Sequence, residues 1–416
     1  MNKHLFSNNF LLLLCGQAFS MFGNNIIRFS ISLFILESTE SAAIYGTITA
    51  ISYIPSIILS PIGGVLADRG DRKWLMVILD GTYAVITLTI GIIFQRQGTF
   101  ILTGILLIIL SMISSLEEPV SSTCIPLIQD KNYLTKSIAI SNQISSLSGL
   151  ITPLLAGMLY SAIGGKNLHN IMYLCTALFL FAAGIELFLK MPKPKMENQN
   201  TVAEIIRGDL SDILKLVFKE KKYIGETMIL NGILMFLVTP YLSIGMTYLI
   251  SVKLQLPAVW NGSAQVITGI AAILGAVASA LISEKFQTKN LYQFLVAMGV
   301  SFIIIIPALL GTHSPITSFL LISLTSAAIL LMANMAGVYI IAGMQKACPQ
   351  NMLGRLMALF NVCNNLILPI GIWIHGIIYE RYDTQLHFVF LTISILTILT
   401  AVKGKSVYSK LQNGST

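Results

Sequence analysis

The chain has 416 residues, 55% apolar and 11% charged, against roughly a quarter charged in an ordinary soluble protein. A mean hydropathy of +0.79 leaves too little polar surface to coat a water-soluble globule. The same numbers exclude a disordered polypeptide, a nucleic-acid binder and a disulfide-stapled secreted domain. The net charge of +8 arises from basic residues in short loops between apolar runs, which is a membrane pattern. The five cysteines form no C-x-x-C pair and fall mostly inside apolar stretches, so they read as small packing residues.

A bilayer core of about 30 Å needs about 20 apolar residues per helix. The chain supplies twelve such segments, predicted over residues 10–36, 43–67, 74–95, 100–128, 137–161, 169–190, 223–250, 261–283, 290–311, 316–344, 353–379 and 386–402. The first begins in LLLLCG (Leu11 to Gly16) and continues to Leu36, too long for a cleaved signal peptide. Along it Gln17, Ser20, Asn24, Arg28 and Ser32 recur at helical spacing, so one face is polar and cannot meet lipid. Gln17, Asn24, Asn25 and Arg28 are therefore candidates for lining a substrate cavity.

The loop between the second and third helices reads GGVLADRGDRK, Gly63 to Lys73. Its carboxylate beside a helix start and its guanidinium groups suit a breakable cytoplasmic latch built on Gly64, Asp68, Arg69, Arg72 and Lys73, with Lys136 and Arg355 in related loops. Asp80 follows in the third helix, near enough to its inner end to belong either to this latch or to a proton site, and Glu117 and Glu118 precede Pro119 in the fourth. Acids inside spans are candidates for carrying protons, and two adjacent ones point about 100° apart, so one can face a cavity while the other packs. Glu186 is expected to snorkel to the inner interface. The fifth helix carries Gly149, Pro153 and Gly157 at four-residue spacing, which permits close packing and bending.

Residues 191–222 form the one long connection, whose second part has Val202, Ile205, Ile206, Leu210, Ile213, Leu214 and Val217 spaced as an amphipathic surface helix. In the second half Asn231, Asn334, Asn361, Asn364 and Asn365 offer further cavity polarity, and His375 is expected as a satisfied interface histidine rather than a proton relay. An internal repeat divides the chain in two. Asn132, Leu134, Lys136, Ala139 and Asn142 match Asn351, Leu353, Arg355, Ala358 and Asn361 at an offset of 219, and Asp68, Arg69 and Lys73 match Glu284, Lys285 and Lys289 at 216. With the N-terminus inside, 21 basic residues fall in inner loops and tails and only Arg96, Lys166, Lys253 and Arg381 outside, so both termini are expected in the cytoplasm.

Gly64, Asp68, Arg69, Arg72 and Lys73 resemble the signature loop of the major facilitator superfamily, with Asp71 where that pattern usually has its second glycine. The stretch from Glu118 to Gln143, LGRLMALFN with Pro369 and Gly371, and GQAFSMFGNN in the first helix are similar to macrolide-efflux-type permeases. The resemblance implies an all-α integral membrane protein of twelve helices in two pseudo-symmetric six-helix bundles, at residues 1–190 and 223–416, joined by a linker at 191–222. It also implies a cavity cation in the fourth helix; Leu110 stands there, and Arg28 lies at similar depth on the neighbouring first helix.

No phosphate-binding loop occurs, so movement must draw on a gradient. The expected function is export of amphipathic small molecules (drug, siderophore or lipid-like) across the plasma membrane by proton antiport. Glu117, Glu118 and Asp80 are the coupling candidates. The alternatives are an uptake permease of the same fold, or a transport-inactive sensor or secretion accessory. No Ser/His/Asp grouping or metal-ligand spacing indicates an enzyme, a metal or a cofactor. The expected partners are solute, protons and the bilayer, with no nucleic acid, and the chain is expected to act as a monomer.

Overall fold

The computed structural model describes residues 6–130, 133–191, 213–282, 287–311 and 313–413. Among these residues all regular structure is helical. The helices long and apolar enough to span a bilayer are α1 Asn8–Thr39, α2 Ala42–Arg69, α3 Arg72–Gln97, α4 Phe100–Ser122, α5 Leu134–Ile163, α6 Leu168–Glu186, α7 Lys222–Lys253, α8 Ala258–Ile282, α9 Thr288–Leu309, α10 Pro315–Ala347, α11 Leu353–Arg381 and α12 Leu386–Asn413. Side chains such as Ile58, Ile78, Val85, Leu281, Leu324 and Val402 are more than half exposed, an apolar surface that suits lipid rather than water.

Short polar side chains start several of these helices by accepting an otherwise unpaired N–H. Ser41 Oγ accepts from Ile44 N at 3.0 Å, Thr99 Oγ1 from Leu102 N at 3.3 Å and Ser314 Oγ from Thr317 N at 3.2 Å. Asp71, which replaces a loop glycine of the resembled signature, caps α3 by accepting from Trp74 N at 3.5 Å. Gly164 ends α5 with φ of +80°, a conformation that strains any residue carrying a Cβ.

The first compact unit takes in the described part of residues 1–197 together with 255–266 at the start of α8. That segment, expected in the second half, packs with the first unit because glycines allow it: a Cβ at Gly262 would lie 2.4 Å from the Pro153 carbonyl oxygen. α1 is central, with Phe10, Leu13, Ile27 and Ile31 fully buried, and packs against α5 and α6. α3 lies on α6, where Tyr83 stacks on Phe179 at 4.7 Å. α2 lies on α4 so closely that a Cβ at Gly63 would be 2.8 Å from the Ser115 carbonyl oxygen.

The second unit takes in the described part of 198–254 and 267–416, and repeats those pairings six helices later. α7 packs on α11 and α12, and α9 on α10 and α12. Gly275 of α8 brings its missing Cβ to 2.7 Å from the Leu331 carbonyl oxygen of α10. Tyr241 packs edge-on against Phe302 and Phe390 in its core. Two pseudo-symmetric six-helix bundles are the outcome.

One helix is longer than expected. α12 runs to Asn413 rather than stopping near 402, because Lys403, Lys405 and Lys410 are exposed while Val407, Tyr408 and Leu411 are buried on its other face. Gln412 then accepts from Lys289 N at 2.9 Å. Of the expected surface helix before α7, Val202, Ile205, Ile206 and Leu210 lie outside the described residues, as do Lys131, Asn132, Glu284 and Lys285 of the repeat. Ile213 and Val217 are buried, and the Val217 carbonyl would lie 2.8 Å from a Cβ at Gly225 of α7.

Candidate functional site

A cavity of about 480 Å³ opens in the first unit between α1, α4 and α5. The polar face of α1 supplies Gln17, Ser20, Asn24 and Asn25, α4 supplies Glu117 and Glu118, and α5 supplies Ser141, Asn142 and Ser145. Five expected site residues, Gln17, Asn24, Asn25, Glu117 and Glu118, are thus brought to one wall system. The helical spacing on α1 explains that grouping, because residues three, four and seven apart share a face.

Hydroxyls hold the amides in place. Gln17 Nε2 donates to Ser121 Oγ, and Ser141 Oγ donates to Gln17 Oε1 at 3.3 Å. Asn25 Nδ2 donates to Ser148 Oγ at 3.3 Å, and Asn24 Nδ2 to the Tyr83 hydroxyl at 3.2 Å. Arg28 stands one turn farther along α1, half-buried and outside the cavity lining. Its Nε donates to Asn24 Oδ1 at 2.6 Å and its Nη1 to Ser111 Oγ at 2.9 Å, so these two donors meet neutral oxygens rather than a carboxylate.

The acids divide as their positions on α4 require. Glu118 is exposed toward the cavity, while Glu117 turns inward. Ser20 Oγ lies 3.1 Å from Glu117 Oε1 and 2.6 Å from Asp80 Oδ1. Asp80 is 1% exposed and sits behind the cavity wall rather than in it. Glu186 corrects the snorkelling expectation: it too is 1% exposed, and its carboxyl group meets that of Asp80. Gly16 makes room for it, since a Cβ there would lie 3.0 Å from Glu186 Cγ. The sequence signal was present, an acid in an otherwise apolar span, but its partner stands 106 positions earlier in α3.

Of the expected cavity residues of the second half, Asn231, Asn364 and Asn334 are engaged within their own unit. Asn231 Nδ2 donates to Asn364 Oδ1 at 2.9 Å, and Asn334 Nδ2 to the Leu330 carbonyl at 2.9 Å. Asn361 and Asn365 are exposed on α11. His375 is buried, 3.1 Å from the Tyr379 hydroxyl through Nδ1, with its ring against Phe236. A second cavity of about 400 Å³, which sequence reasoning missed, includes Leu249, Lys253, His313, Asp383 and His387. Lys253 pairs there with Asp383, which also accepts from the Tyr248 hydroxyl; no spacing rule connects residues so far apart in the chain.

Of the expected latch, Arg72 Nε donates to Thr123 Oγ1 at 3.1 Å and Lys73 lies 5.9 Å from the Trp74 ring centroid. Lys136 is exposed, and Arg355 is half-buried. Gly64 sits in the last turns of α2 with open space around its missing Cβ. Asp68 and Arg69 close that helix, and their side chains lie outside the described residues. Among the described residues no group of three His, Cys, Asp or Glu has a metal-holding arrangement.

A family model described as Major Facilitator Superfamily matches residues 13–372. Macrolide efflux protein A of Streptococcus pyogenes is 29% identical over 153 residues, 36% of this chain and 38% of that protein. The matched stretch thus spans about two fifths of that relative's length. Macrolide efflux protein A of Enterococcus faecalis is 23% identical over 334 residues, 78% of this chain and 98% of that protein. The staphyloferrin A transporter of Staphylococcus aureus is 25% identical over 38% of each chain. Among solved structures, a bacterial homologue of the iron transporter ferroportin aligns with a TM-score of 0.71 at 17% identity, covering 96% of this chain and 99% of that one.

Proposed function

The chain belongs to the major facilitator superfamily, and from that premise we propose that it exports amphipathic small molecules, drug-, siderophore- or lipid-like, by alternating access. The observation that carries the proposal is the amide- and acid-lined cavity of the first unit, enclosed by membrane-spanning helices. Amides and hydroxyls that pair with one another can re-pair with a solute's polar groups, while Met21, Ile125 and Ile138 give its apolar part a wall. Similarity to efflux proteins supports the outward direction.

Proton antiport is the proposed coupling. Glu118 is open to the cavity and Glu117 touches both the cavity and Ser20, so protonation and solute binding compete for the same lining. The basic asymmetry of the loops supports a plasma-membrane protein with both termini cytoplasmic, and the loop from Gly64 to Lys73 is proposed as a latch released once per cycle. Arg28, one turn beyond the lining, is proposed to meet a hydrogen-bond-accepting group of the solute by exchanging its bond to Asn24 or Ser111 for that group. No second copy is required for this cavity, which the first unit builds by itself.

The test is uptake into inverted vesicles, with and without an imposed proton gradient, across panels of macrolide-type drugs, siderophores and lysolipids. Gradient-dependent accumulation of one class supports the proposal. Uptake confined to right-side-out vesicles, or transport indifferent to the gradient, refutes the export or the coupling half respectively.

A further inference from the structure

Behind the cavity wall, four side chains on four helices form one chain of contacts: Glu117 of α4, Ser20 of α1, Asp80 of α3 and Glu186 of α6. Ser20 Oγ approaches carboxyl oxygens on both sides, 3.1 Å from Glu117 Oε1 and 2.6 Å from Asp80 Oδ1. A serine hydroxyl has one hydrogen to donate. Shared between two carboxylates that hydrogen makes one weakened three-centre bond, whereas both contacts are full hydrogen bonds when one of the two carboxyl groups carries a proton and donates it to Ser20 Oγ. The Asp80 and Glu186 carboxyl groups also meet, yet buried Asp80 Oδ2 and Glu186 Oε2 have no donor among the described residues. Two carboxylates have no hydrogen to offer each other, so this contact too is made only with a proton between them.

We infer that the Asp80–Glu186 pair is a proton-binding site, loaded from the cavity through Glu117 and Ser20. The step is a transfer along hydrogen bonds with no change of oxidation state. A proton from cavity water binds Glu117, the Glu117 O–H passes its proton to Ser20 Oγ, and the Ser20 O–H passes its own to Asp80, where Glu186 shares it. Release reverses the order. One proton enters, one serine hydrogen is exchanged, and the serine ends as it began. The role of this site in transport rests on the proton-coupled reading above; the site itself does not.

The surroundings leave the pair few other partners. On α1, Arg28 lies two turns beyond Ser20 and directs Nε and Nη1 to Asn24 and Ser111, within electrostatic reach of Glu117. On α4, Glu118 faces the cavity. On α3, the Tyr83 hydroxyl accepts from Asn24 and also meets the Glu117 carboxyl group, and beyond α4 Cys124 lies near both Glu186 and Arg72. Lys136 on α5 and Lys190 after α6 are exposed. Gly16 of α1 is the space into which Glu186 lies.

The experiment is infrared difference spectroscopy of the full chain in lipid nanodiscs, reading the protonated-carboxyl band as pH is stepped, for wild type, Asp80→Asn, Glu186→Gln, Glu118→Gln and Ser20→Ala. The pair should give a shared band that is lost in Asp80→Asn and in Glu186→Gln alike, and kept in Glu118→Gln. Ser20→Ala should keep the band but slow its response to a pH jump by about tenfold or more, the scale of a lost proton relay. A band unchanged in both Asp80→Asn and Glu186→Gln, or removed by Glu118→Gln alone, overturns the inference. If one amide variant fails to fold, the other and the Ser20→Ala rate still decide. A titrating pair in a protein whose vesicle uptake ignores the gradient refutes the coupling proposal and leaves this site standing; gradient-driven uptake with a silent pair does the reverse.

Discussion

Two neighbouring glycines at the end of α2 should respond oppositely to the same substitution. At Gly63 an added Cβ would lie 2.8 Å from the Ser115 carbonyl oxygen, 3.0 Å from Leu116 Cα and 3.1 Å from the Leu116 carbonyl oxygen. All three neighbours are backbone, so none can swing away as a side chain could. Pro119 sharpens the contact: it has no N–H, so the Ser115 carbonyl four residues earlier loses its helical donor and meets α2 instead. At Gly64 nothing lies within 4 Å of the same added atom. Both Gly→Ala changes gain about the same helix propensity, up to about 1 kcal/mol, so the difference between them isolates the contact.

Ordinary Cβ contacts begin near 3.4 Å, so α2 and α4 must part by roughly half an ångström along much of their length, an overpacking cost of about 1–3 kcal/mol. For a unit of this size each kcal/mol moves the midpoint by about 2–4 °C. Gly63→Ala should therefore melt between about 2 and 12 °C below Gly64→Ala, measured by thermal unfolding of both variants in one detergent with size-exclusion readout. Equal midpoints, or a lower one for Gly64→Ala, would refute the packing argument. Because Gly64→Ala is expected to leave the fold intact, any loss of transport in it measures the latch rather than the structure.

Three further outcomes are expected. With Cys15 and Cys363 replaced, single cysteines introduced beside Lys166 and Thr312 should react with an impermeant thiol reagent added to intact cells, and one beside Gln199 should not; the opposite pattern removes the termini-inside topology. Asp68→Asn should abolish or strongly slow turnover while solute binding stays near wild type, because it shifts a conformational equilibrium rather than the cavity; unchanged transport would remove the latch. Arg28→Ala should weaken solute binding by about tenfold or more, the scale of one lost charge-assisted hydrogen bond, whereas unchanged affinity would restrict Arg28 to tethering Asn24 and Ser111.

The sequence revealed what depends on periodicity and concealed what depends on tertiary approach. Twelve spans and the polar face of α1 were legible because hydropathy and a 3.6-residue repeat are local properties. The end of α12 was not, because three lysines lowered its hydropathy while lying on the face away from Val407, Tyr408 and Leu411. Glu186 read as an interfacial acid because its place near the end of an apolar run is local, whereas Gly16 and Asp80, which receive it, belong to other helices. Asn231 looked like cavity polarity for the same reason: nothing local marks Asn364 as its partner.

The two halves share their helix pairings but not their acids, and that asymmetry locates the chemistry. At the repeat offset of 219, Glu117 and Glu118 correspond to Ala336 and Gly337, and at 216 Asp80 corresponds to Val296. Within the spans of the second unit, acids stand only near the ends, at Glu226 and Glu380. Packing can be duplicated with any apolar side chains of suitable volume, as the Gly63–Ser115 and Gly275–Leu331 approaches illustrate. A buried acid is tolerated only beside partners that satisfy it, and the first unit alone supplies such a set in Ser20, Tyr83 and the paired carboxyl groups. Exchanging the acids singly into the second half should therefore destabilise that unit without creating a second proton site, because Val296 and Ala336 have no counterpart of Ser20 between them: at the same offsets Ser20 falls on Phe236 or Thr239, and Thr239 directs its hydroxyl to Met235 of its own helix.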